Sequence, residues 1–176
     1  MHQKIVITGG PGTGKTMVIN ELLKRGYSCQ IEISREVTLR AREDGIEQLF
    51  LTQPLLFSEL LLEGRVKQFL DGETTESDFV FFDRGIPDVH SYLEYLKTDY
   101  PKKYIELSHK HQYDTVFLMP PWEEIYTSDN ERYENYEQSV QIYQSIKEVY
   151  TQLGYTIIEV PTGTITDRTD FILDAI

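Results

Sequence analysis

Residues Gly9-Gly10-Pro11-Gly12-Thr13-Gly14-Lys15-Thr16 leave this chain few ways to fold. They satisfy G-x-x-x-x-G-K-[ST] in full, following the apolar run Ile5-Val6-Ile7 and preceding the helix-forming run Met17 to Leu23. A strand that turns through glycines into a helix is the setting in which such a loop holds phosphate. The glycines let the backbone turn tightly and aim successive N–H groups inward, at the positive end of a helix. Lys15 would then reach the β- and γ-phosphates of a nucleoside triphosphate, and the Thr16 hydroxyl would ligate Mg²⁺. A glycine-rich turn that matches by accident is the alternative. At average composition the four fixed positions recur by chance in about one chain in a hundred or fewer, and the flanking strand and helix lower that further. The loop therefore reads as a triphosphate site, with ATP and Mg²⁺ as the expected cofactors and Gly9 to Thr16 as the residues that hold them.

The rest of the chain alternates strands with helices. Residues 3–8, 28–33, 79–82, 115–119 and 155–160 read as strands. Helices are expected at 15–25, 35–44, 87–98, 102–111, 134–153 and 166–176. The stretch 46–71 is helical in composition, with Leu49, Leu56, Leu60, Val66 and Leu70 along an apolar side and a break or kink at Pro54. Phe79-Val80-Phe81-Phe82 is continuously apolar, which marks a strand covered on both faces. Alternation of this kind gives a three-layer α/β fold, a five-stranded parallel sheet with helices on both faces. No linker, repeat or low-complexity segment divides residues 1–176, so one domain is expected.

Charge and cysteine content narrow the function classes. The chain carries 17 Lys+Arg against 29 Asp+Glu, a formal charge of -12. An acidic surface repels nucleic acid and anionic membrane, so neither is an expected partner. The single cysteine, Cys29, permits no intramolecular disulfide and no cysteine metal cluster; within an apolar strand it reads as a buried structural thiol rather than a nucleophile. No run reaches the length of a membrane-spanning helix, and a strand begins almost at once, leaving no room for a signal peptide. A cytoplasmic chain is the expectation. The four histidines, His2, His90, His109 and His111, share no metal-ligand spacing and read as structural or exposed.

In parallel sheets ligands gather beyond the carboxyl ends of the strands, which directs attention to three segments. Asp83-Arg84 closes the strand at 79–82. An apolar run ending in Asp is common at turns and caps, but coupled to the full loop it points to a carboxylate that helps hold Mg²⁺. Arg84 would face phosphate or acceptor oxygens. Glu32 follows the second strand, with Arg35 and Glu36 close by. A carboxylate there could take the proton of an attacking hydroxyl or bind a sugar hydroxyl; the alternative is a solvated Glu32 and an Arg35–Glu36 ion pair. The polar and aromatic segment 122–135 lies where a lid over the triphosphate would be, and Arg132 within it could neutralise charge on a transferred phosphoryl group. Its alternative is a surface arginine paired with one of many acids.

These residues together resemble a family of P-loop kinase-like AAA-type ATPases that includes the ribosylnicotinamide kinase domain of the NadR regulator. The resemblance is carried by Gly9 to Thr16, Glu32-Ile33-Ser34-Arg35-Glu36, Phe82-Asp83-Arg84-Gly85, Asp129-Asn130-Glu131-Arg132-Tyr133, Gly154-Tyr155 and Val160-Pro161, in that order along nearly the whole chain. It implies the P-loop NTPase fold of nucleoside and nucleotide kinases and binding of ATP. Glu32 with Asp83-Arg84 is also similar to the deoxynucleoside kinase arrangement, which implies a base after the second strand and an acid-Arg pair after the third. The expected activity is ATP-dependent transfer of the γ-phosphate to a hydroxyl of a small nucleoside-like or ribose-containing metabolite. In that reading Thr16 and Asp83 hold Mg²⁺, and Lys15, Arg84 and Arg132 stabilise the transferring group. Arg35 and Arg84 bind the acceptor, and Glu32 or, alternatively, Asp83 serves as base. The competing class is a regulatory ATPase or nucleotide switch that binds a protein or lipid. The chain lacks D-x-x-G, N-K-x-D and an LSGGQ-like signature and has no room for a helical lid domain, which disfavours GTPase, transporter and ring-forming machines. Monomer and homodimer both remain open.

Overall fold

A computed structural model describes residues 3–126 and 134–176. The elements run β1 (Gln3–Gly9), α1 (Lys15–Lys24), β2 (Ser28–Gln30), α2 (Ser34–Glu43), α3 (Leu49–Thr52), α4 (Pro54–Glu73), β3 (Phe79–Asp83), α5 (Pro87–Tyr95) and α6 (Lys103–Lys110), followed by β4 (Thr115–Met119), a 3-10 turn (Glu123–Ile125), α7 (Tyr136–Gln152), β5 (Ile157–Glu159) and α8 (Ile165–Asp174). The strands form one parallel sheet in the order β2-β3-β1-β4-β5. This is the three-layer P-loop NTPase architecture expected from the sequence.

Strand alternation divides the core into two layers. Val6, Val80, Phe82, Val116 and Leu118 face α4, α5, α6 and α7, packing with Leu62, Phe69, Leu93, Ile146 and Tyr150. Their neighbours Ile5, Ile7, Phe81, Phe117 and Met119 face α1 and α8, against Val18, Leu22 and Ile172. Both faces being buried explains why these strands read as unbroken apolar runs. Central β1 lies between β3 and β4, with Ile7 opposite Asp83 and Gly9 opposite Met119. The Gly9–Thr16 loop therefore emerges at the middle of the carboxyl edge, beside the end of β3.

Several boundaries shift. β2 ends at Gln30 rather than residue 33, so Glu32 lies in the turn before α2. The stretch 46–71 splits at Pro54, which opens α4 at its first turn, where its missing N–H costs nothing. The apolar side expected for that stretch holds only in part: Leu49 is buried and Val66 packs against the core, but the three leucines between and beyond them do not. Leu56, Leu60 and Leu70 are exposed, and the buried face carries Leu61, Leu62 and Phe69 together with Arg65. Leucines surround the first half of α4 on every side, so spacing alone could not select the inward face.

Candidate active site

The glycine-rich loop leads into α1 through Gly14, whose φ of 84° lies in the left-handed region that a side chain would strain. Lys15 is buried, and its ammonium folds back on the loop. Nζ donates to the Gly9 carbonyl at 2.9 Å, the Gly10 carbonyl at 2.6 Å and Thr13 Oγ1 at 3.1 Å. Burial, reinforced by the Arg84 charge and opposed by Asp83, pushes its pKa down to about 7. Anionic oxygens would be better partners for this cation than the carbonyls it now holds. Thr16 follows in the first turn of α1 and is exposed.

Asp83 and Arg84 fall where the sequence places them, but Arg84 has more partners than expected. Its φ of 73° is left-handed, unusual for a residue with a side chain, and its N–H donates to the Ile7 carbonyl at 3.0 Å. This conformation turns the guanidinium back over β1. Nε lies 2.8 Å from Glu32 Oε2, while Nη1 donates to the Gly9 carbonyl at 2.9 Å and Asp88 Oδ1 at 3.2 Å. Burial opposes its charge, but Glu32, Asp88 and Asp83 hold it firmly protonated. Arg84 thus ties the turn bearing Glu32 to the phosphate loop.

Glu32 is not a solvated strand-end acid. Oε1 accepts from the Ile33 and Ser34 N–H groups at 2.9 and 3.0 Å and from Arg65 Nη2 at 2.9 Å. Burial raises its pKa, but Arg65 and Arg84 outweigh this and hold it down at about 2. The carboxylate is therefore ionised and fixed, able to accept a hydrogen bond from a hydroxyl and weakly basic. The alternative Arg35–Glu36 pair does not account for Glu36, which pairs with Arg40 at 2.5 Å on the exposed face of α2. Arg35 lies in the first turn of that helix and is exposed.

Asp83 is buried as a residue, at 4% exposure, and its carboxylate takes no hydrogen bond among the described residues, though its oxygens are not fully enclosed. Burial, and then the Glu32 charge, raise its pKa. A buried carboxylate without a donor, beside a phosphate loop, fits a hard divalent cation bound mainly through phosphate oxygens and water. No group of three or more His, Cys, Asp or Glu among the described residues forms a cage that would hold a metal alone.

Four residues of this neighbourhood escape sequence reading. Arg65 is only 2% exposed; besides Glu32 it donates to the Asp83 carbonyl at 3.1 Å. Its signal was its helical phase, since it falls between Leu61 and Phe69 on the buried side of α4. Asp88, one turn after Arg84, accepts from Thr8 Oγ1, from the Gly85 N–H at 2.8 Å and from Tyr150 Oη at 2.7 Å. Ser139 of α7 donates to the Pro11 carbonyl at 2.6 Å, and Arg168 of α8 donates to the Thr13 carbonyl at 2.9 Å. Nothing in the sequence links these last two to the loop. Of the segment expected to form a lid, the 3-10 turn is seen; Arg132 lies outside the described residues, so its expected role does too. Cys29 is half-buried, and burial lifts its thiol to about 12, consistent with an inert structural residue.

A family model described as an AAA domain matches residues 4–168. No curated protein matches the chain in sequence. Among solved structures, deoxyadenosine kinase from M. mycoides with products dCMP and dCDP superposes with a TM-score of 0.73 at 17% identity, covering 98% of both chains. NadR in complex with NR superposes with a TM-score of 0.74 at 14% identity, covering 99% of this chain and 50% of that one. NadR in complex with NAD and AMP-PNP gives 0.71 at 14% identity, with 99% and 48% covered. The chain thus spans about half the length of NadR. At these identities the likeness is one of fold.

Proposed function

This chain belongs to the AAA-domain family, and from that premise we propose that it is an ATP-dependent small-molecule kinase. The γ-phosphate of ATP would pass to a hydroxyl of a nucleoside-like or ribose-containing acceptor. The observation that carries this reading is the double attachment of Arg84, to Glu32 on one side and to the Gly9 carbonyl on the other. A hydroxyl bound at Glu32 would lie across one guanidinium from phosphates bound on the loop.

In this reading the loop amides and Lys15 hold the β- and γ-phosphates, and Thr16 and Asp83 hold the Mg²⁺ that neutralises their charge. Glu32 orients the acceptor hydroxyl. A carboxylate held near a pKa of 2 is a poor base, but phosphoryl transfer through a loose transition state asks little deprotonation of the nucleophile. Positioning is then its main contribution. Arg84 can exchange its carbonyl partner for a phosphoryl oxygen, and Arg35, at the rim, is the candidate for contact with the outer part of the acceptor. The fold likeness to deoxyadenosine kinase and NadR supports a nucleoside-like acceptor.

The test is ADP formation from ATP and Mg²⁺ against a panel of nucleosides, nicotinamide riboside and simple sugars. Strong stimulation by one compound, with a phosphorylated product, supports the kinase. Slow hydrolysis indifferent to all of them overturns it and favours a nucleotide switch.

A further inference from the structure

The phosphate loop is held from outside at alternate peptides. Ser139 Oγ, in the first turns of α7, donates to the Pro11 carbonyl at 2.6 Å. Arg168 Nη1, on α8, donates to the Thr13 carbonyl at 2.9 Å. Both side chains are nearly fully buried, at 1% and 3% residue exposure for Ser139 and Arg168. All peptide bonds among the described residues are trans. In a trans peptide the C=O and the following N–H point in opposite directions. Drawing the Pro11 carbonyl toward α7 therefore turns the Gly12 N–H away from α7. Drawing the Thr13 carbonyl toward α8 likewise turns the Gly14 N–H away from that helix.

We infer that Ser139 and Arg168 are positioning residues that preset the Gly12 and Gly14 amides for an anionic phosphate chain. This inference rests on reading the loop as the donor site. The packing around each clamp has no slack. A Cβ built on Gly10 would stand 2.6 Å from the Ser139 carbonyl oxygen, and one on Gly14 would stand 2.8 Å from Arg168 Nη1. The Arg168 guanidinium is otherwise poorly satisfied. Its Nε and Nη2 have no hydrogen-bond partner among the described residues, and its Cζ lies 5.7 Å from the centre of the Trp122 ring. Among the described residues its one hydrogen bond goes to the loop. A buried cation kept for a single carbonyl makes sense if that carbonyl sets the geometry of a binding site. Gly12 and Gly14 would otherwise be the freest peptides of the loop, and ordering them in advance removes an entropy cost from binding.

Inorganic tripolyphosphate and ADP are the probes, with dissociation constants from calorimetry and unfolding temperatures of the unliganded proteins. The wild type is expected to bind both. Ser139→Ala should weaken both about five- to tenfold, the effect of one lost hydrogen bond, with little change in unfolding temperature. Arg168→Met, which keeps the packing, should weaken them at least as much, and Arg168→Lys, which keeps a donor, should recover part of the loss. Variants that fold like the wild type and bind both probes within twofold of it overturn the inference and leave the donor site standing. If Arg168→Met does not fold, Ser139→Ala decides alone. A wild type that binds neither probe removes the donor site, and this inference with it.

Discussion

Arg65 reaches Glu32 from the middle of α4, its Nη2 2.9 Å from Oε1, across 33 positions of sequence. The same guanidinium caps the Asp83 carbonyl, so one helical arginine fixes the turn after β2 against the end of β3. Glu32 consequently has two guanidinium partners, Arg65 and Arg84, and three side chains from three separate segments are tied together.

Replacing Arg65 by Met should destabilise the fold by about 2–3 kcal/mol, because a charge-assisted hydrogen bond is lost and a largely buried carboxylate loses a partner. In a double-mutant cycle with Glu32→Gln, the two losses should fall well short of adding. Denaturant unfolding of the four proteins measures this; strict additivity would show that the two residues are not coupled.

Glu32→Gln should lower phosphoryl transfer about a hundredfold through misplacement of the acceptor hydroxyl, while ATP-analogue affinity stays within a few-fold, since the residue lies on the acceptor side of Arg84. Single-turnover kinetics and equilibrium binding on the same preparation separate the two effects. A variant equally active, or one that has lost nucleotide binding alone, would contradict the assignment.

Lys15→Met should abolish measurable binding of triphosphate, because the ammonium is the loop's own cation and the neighbouring arginine is committed to Glu32 and Asp88. Fluorescent ATP-analogue titration checks it. Retained affinity would mean that the loop is not the donor site.

Acid should remove the Glu32 contribution selectively. Its folded pKa of about 2 lies below the ordinary 4.5, so the unfolded chain binds more protons between these values. Stabilisation by Glu32 is therefore complete above about pH 4.5 and is lost as pH falls toward 2. The difference in unfolding temperature between wild type and Glu32→Gln should be constant from pH 7 to 5 and shrink steadily below 4.5. A difference independent of pH over that range would show that the carboxylate is not held by the two arginines.

Much of the fold was legible because it depends on local pattern. Alternating strands and helices, apolar runs buried on both faces, and a complete loop motif each carry their own signal along the chain. Gly9 to Thr16 fixed the position of the phosphate loop, and Asp83-Arg84 at the end of an apolar strand fixed its neighbour. What failed was the inward face of α4. Leu55, Leu56, Phe57, Leu60, Leu61 and Leu62 offer apolar residues in every direction, so periodicity cannot choose. The choice is made by packing on Phe82 and Val80 and by Arg65 reaching Glu32.

The sequence by itself therefore determined the loop, the strand ends and the kind of ligand they suit, since each is written in contiguous residues with fixed spacing. Only the tertiary structure decided who holds them. Arg65, Asp88, Ser139 and Arg168 act from four different helices, and their partners lie between 3 and 155 positions away. A hydrogen bond depends on distance in space, and a chain of one dimension does not record which carbonyl a buried guanidinium will meet. That pairing is fixed when the two layers close on the sheet and each buried polar group must find a partner inside.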